Sequence, residues 1–64
     1  MNQAQEKAIQ LIKLLKEDGE KPTMSIAVAN EMIQEHFGGK GEYSSRRYYF
    51  WKSVKQELER RLQE

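Results

Sequence analysis

Apolar side chains recur every three or four positions in three stretches of this 64-residue chain, and two polar or glycine-rich joints divide them. In the first stretch Ala4, Ala8, Leu11, Ile12 and Leu15 fall on one face at about 100° per residue, which predicts a helix over residues 3–16. Asn2 stands at the N-cap position with Gln5 three residues on, the pattern of a capping box. Asp18-Gly19 supplies the stop. The polar joint from Asp18 to Pro22 is short enough to make the first two helices neighbours.

The second stretch predicts a helix over residues 24–37, beginning after Pro22 with Thr23 or Ser25 as its cap and ending at Phe37, where Gly38 takes a left-handed conformation. It carries two apolar stripes. Ile26, Ala29, Ile33 and Phe37 form one, and Met24, Val28 and Met32 form another on roughly the opposite side. A helix apolar on two sides is either the middle helix of the fold or half of an interface. Central burial between the other two helices is the simpler expectation. The third helix, over residues 45–62, is capped by Ser44 or Ser45 and meets no breaker. Phe50, Trp51, Val54, Leu58 and Leu62 gather on its core side. Arg47 projects the same way, as a stem covering apolar surface or a cation on an aromatic ring.

These elements predict one all-α domain over residues 1–64, a compact three-helix arrangement with a long C-terminal helix. Its size allows only a modest core, so stability has to come from good helix packing or from dimerisation. With no cysteine and a single histidine, disulfide and metal staples are not expected. No cofactor is expected either. Hydrophobic residues make up 38% of the chain and charged residues 33%, rich in charge yet periodic enough to fold. The N-terminal residues lack the basic start and apolar run of a secretory leader, and no apolar run is long enough for a bilayer. The expected location is the cytoplasm, away from membranes.

A net charge of +1 points to no partner until its distribution is considered. Residues 1–20 hold three cations and four anions, residues 21–42 two and three, and residues 43–64 six and three. Within the last group, Tyr43 to Gln56 contains Arg46, Arg47, Lys52 and Lys55 and no acid. The side of the third helix opposite its core stripe carries Ser45, Arg46, Tyr49, Lys52, Ser53, Gln56 and Arg60. An aromatic ring among cations and small polar groups suits phosphate oxygens, base edges or a protein partner.

Three helices whose last one presents a basic, polar N-terminal half resemble in outline a trihelical helix-turn-helix domain. That resemblance implies a small DNA-binding regulatory protein. Ser45, Arg46 and Tyr49 would lie nearest the bases, Ser53 and Gln56 further along, and Lys40 and Lys52 on the phosphate backbone. The joint from Gly38 to Tyr43 is longer than the usual turn of that motif, and the near-balanced charge is less basic than is common for nucleic-acid binders. A second copy on an adjacent half-site would offset weak binding by one small domain. The alternative is a protein-interaction module that docks on a partner or self-associates, using Tyr48, Tyr49 and Arg46 or the Met24, Val28 and Met32 stripe.

Catalysis is not expected. Glu35-His36 with Glu31 one turn earlier reads as a solvated helix face, with no convergent nucleophile. Gly38-Gly39-Lys40-Gly41 lacks the hydroxyl residue after its lysine and the preceding strand of a phosphate-binding loop, so it reads as a turn.

Overall fold

The computed structural model describes residues 2–37 and 46–63, and within them the protein is an all-α three-helix domain. Helix α1 spans Gln3–Glu17, α2 Met24–Glu35 and α3 Arg46–Leu62.

Both ends of α1 follow from local chemistry. The Asn2 side chain accepts a hydrogen bond from the Gln5 backbone N–H at 2.9 Å, and the Gln5 side chain accepts from the Asn2 N–H at 3.3 Å. That reciprocal pair satisfies two donors the first helical turn leaves open. At the other end Gly19 adopts φ +77°, its N–H donates to the Lys16 carbonyl at 3.2 Å, and the Glu20 N–H reaches back to Leu15 at 2.8 Å. This paired closure uses the left-handed conformation that glycine adopts without a Cβ penalty.

The start of α2 differs from expectation. Thr23 occupies the N-cap position but has helical backbone angles and makes no side-chain capping bond, and Ser25 lies inside the helix. The Ser25 hydroxyl instead donates to the Pro22 carbonyl at 2.6 Å, in a side chain with no exposed surface. Backbone bonds from Met24 to Lys21, Ser25 to Pro22 and Ile26 to Thr23 wind this entry as a tight i to i+3 turn. The C-terminal end also comes early. The helix ends at Glu35 rather than Phe37, with His36 as its cap and the Phe37 N–H closing on Gln34 at 3.3 Å. Phe37 thereby leaves the buried stripe and is 59% exposed. The expected left-handed Gly38 lies outside the described residues.

Ala8, Ala29, Trp51, Val54 and Leu58 form the buried centre. Ala4, Leu11, Ile12, Ile26, Met32, Ile33, Phe50 and Leu62 pack around it. Each fully buried aliphatic side chain adds roughly 1.5–3 kcal/mol relative to exposure, so Val54 and Leu58 are the main contributors from α3. Small alanines where α1 and α2 meet the core let α3 bring its larger residues inward.

The middle helix is α3, not α2. Both α1 and α2 pack most extensively on α3, and least on each other. The second stripe of α2 is therefore not explained by central burial. Met32 packs against the core, while Met24 and Val28 remain exposed. Arg47 is exposed as well, and the cation over Trp51 is Lys7, with Nζ 5.9 Å from the ring centroid.

Candidate functional site

The seventeen residues of α3 divide into a buried seam and an outward face. Trp51, Val54 and Leu58, three and four positions apart, hold the seam against α1 and α2. That anchoring fixes the rotation of the helix. Arg46, Tyr49, Lys52, Ser53 and Gln56 consequently all point away from the core and are exposed, in agreement with the periodicity. Ser45 and Lys40 lie outside the described residues.

The first half of this face contains no acid from Arg46 to Gln56. The second half is internally balanced. Glu57 accepts hydrogen bonds from both Arg60 and Arg61, the latter at 3.0 Å. The Arg60 hydrogen bond, with the attraction of both guanidinium groups, holds the Glu57 carboxyl below its ordinary value against the opposing effect of desolvation. Positive charge is thus concentrated towards the N-terminal half of α3, where no acidic residue occupies the first turn. A helix N-terminus adds its own partial positive charge in the same place.

An aromatic ridge borders this face, with Phe37 in contact with Tyr48 at a ring separation of 5.5 Å and Tyr48 in perpendicular contact with Tyr49 at 5.1 Å. Tyr48 is half-buried, whereas Phe37 and Tyr49 are 59% and 61% exposed. Lys52 Nζ lies 5.4 Å from the Tyr48 ring centroid, close enough for a cation–π attraction. The sequence places Tyr48 and Tyr49 together but assigns Phe37 to the core. Only the early end of α2 sends Phe37 to the surface. Its one sequence signal is the glycine pair that follows, where a helix is apt to stop.

Beside the ridge, a groove of about 370 Å³ runs between α2 and α3, lined by Asn30, Ile33, Lys52, Lys55, Gln56 and Glu59. A more open hollow of about 450 Å³ follows the last turns of α2 along Glu31, Met32, Gln34 and Glu35. Of Met24, Val28 and Met32, the first two are exposed and Met32 is partly buried, packing against the core while also lining this hollow. Among the described residues no group of three or more His, Cys, Asp or Glu is placed to hold a metal ion, and no helix is long and apolar enough to cross a membrane. Compared with protein-family models, curated proteins and solved structures, the chain matches none of them.

Proposed function

We propose that this protein is a small DNA-binding regulatory protein that uses the N-terminal half of α3 as its recognition helix. The observation that carries this reading is the acid-free exposed face formed by Arg46, Tyr49, Lys52, Ser53 and Gln56 on a helix locked in rotation by Trp51, Val54 and Leu58. The major groove is about 12 Å wide and admits one α-helix. Entering end-on, α3 brings Arg46 and Tyr49 to the base edges, where an arginine can make a bidentate contact with guanine O6 and N7. Gln56 is ten residues further along, about 15 Å at helical rise, so its natural partners are phosphate and sugar. Lys52 and Lys55 supply affinity without sequence information. The helix-turn-helix likeness belongs to this same proposal, in which α2, the helix that packs most extensively on α3, would serve as the supporting helix of the motif.

Docking on a protein partner is the second reading. It is favoured by the exposure of Met24, Val28 and Tyr49, at 46%, 36% and 61%. Methionine and tyrosine are enriched in interface cores.

Anisotropy titration of a labelled duplex at several salt concentrations tests the DNA reading. Neutralising three phosphates through Arg47, Lys52 and Lys55 gives a log–log slope of about −2.7. Lys52→Ala should make that slope shallower by roughly 1. Absence of binding at low salt, or affinity indifferent to salt, sinks the proposal.

A further inference from the structure

The groove-reading model leaves one feature of the surface unused. A helix in the major groove meets the edges of paired bases, because their faces are covered by stacking. Edge reading employs hydrogen-bonding groups such as Arg46. It has no use for Phe37, which is contributed from beyond the end of α2 and yet is 59% exposed. Nor does it need Phe37 joined through Tyr48 to Tyr49 in one continuous ridge.

Ring faces bind ring faces. Proteins that take bases out of the stack present aromatic side chains beside a positively charged track, since every base offers a π-face and every nucleotide a phosphate. The ridge has these properties. Tyr48 meets Tyr49 at an interplanar angle of 84°, so it can cover at most one face of the Tyr49 ring. Tyr48 is itself half-buried, which fixes the middle of the ridge while its two ends stand in solvent. Lys52 Nζ beside Tyr48 and the exposed Arg46, one turn before Tyr49, place positive charge along the same flank.

Resting on the reading that this face takes DNA, we infer that Phe37, Tyr48 and Tyr49 form a stacking platform for an unpaired base, flanked by Arg46 and Lys52. The protein then prefers a duplex with a locally opened segment to one that is fully paired. Its target class is DNA in which a nucleotide has left the stack, with Tyr49 and Phe37 as the contacting rings. Recognition of this kind tolerates any base, so the preference follows the opening and not the sequence around it.

The experiment compares two labelled duplexes of equal length and charge, one fully paired and one with three adjacent central mismatches. The purified chain is titrated with each at one fixed moderate salt concentration. The wild-type protein should bind the mismatched duplex on the order of tenfold more tightly, the scale of one base–aromatic stack. Tyr49→Phe, which keeps the ring, should retain that ratio. Tyr49→Ala and Phe37→Ala should bring it towards one. Circular dichroism should find both alanine variants helical, because each removes a mainly exposed side chain. Equal wild-type affinity for the two duplexes overturns the stacking platform but leaves the DNA reading standing, as does a ratio unchanged in Tyr49→Ala. Failure to bind either duplex at low salt overturns both.

Discussion

Leu58 and Val54 are wholly enclosed, and Trp51 nearly so, on a helix whose opposite face is charged and open to solvent. In so small a domain that enclosure is consequential. Net stabilities of folded proteins are about 0.05–0.15 kcal/mol per residue, or roughly 3–10 kcal/mol at this length. Leu58→Ala removes transfer energy and leaves a cavity, at a cost of about 2–5 kcal/mol. Urea denaturation should therefore find this variant with most of its stability lost. At this scale the sequence was informative: helical periodicity picked out Ala8, Ala29, Trp51, Val54 and Leu58 without knowledge of their neighbours. It misjudged Arg47 and Phe37, each near a helix end. A wheel projection assumes a cylinder that continues, and at an end there is no further turn to pack beneath the side chain. Lys7, inside α1, escaped as the cation over Trp51 for a different reason, since that contact joins two helices.

Among the elements, α2 separates what pattern can tell from what packing decides. Met24, Val28 and Met32 look equivalent on a wheel, yet Met32 packs against the core while Met24 is 46% exposed. Met32→Lys should destabilise the fold strongly, since it forces a charge against apolar neighbours. Met24→Lys should leave thermal unfolding almost unchanged. A similar loss in both variants would show that the two positions share one buried surface. Along α3 the relevant property is electrostatic. Glu57 has its carboxyl value lowered by its arginine partners in the folded protein. Its contribution is complete above the ordinary carboxylate range and disappears as pH falls through the lowered folded value. Glu57→Gln should accordingly show a smaller drop in stability between neutral and acidic pH than the wild-type chain, measured by urea denaturation across that range. The capping box at Asn2 and the stop at Gly19 were legible because each is written within a few residues. The tight entry to α2 was not, since the Ser25 hydroxyl that was expected to cap it faces inward and bonds to Pro22.

For the whole molecule, three helices follow from pattern, but which of them is central does not. Two apolar stripes suggested α2, whereas α1 and α2 share only a small contact and each lies mainly against α3. Periodicity gives the number of apolar faces on a helix and says nothing about which neighbour covers them. The outward face of α3 was legible for the same reason as its seam, being the complement of that seam. The aromatic ridge was not, because it depends on where α2 stops and how Phe37 then meets Tyr48.

The central position of α3 bears on synthesis as well as on stability. During translation α1 and α2 leave the ribosome before it, and the pair alone has little mutual surface with which to hold together. Ala8 and Ala29 gain their buried partners Trp51, Val54 and Leu58 only when the third helix is present to dock. A nascent chain halted before Arg46 would expose Leu11, Ile12, Ile26 and Ile33 together, the kind of surface that chaperones and proteases survey. The helix that carries the candidate binding face is thus also the one on which the other two depend for their burial.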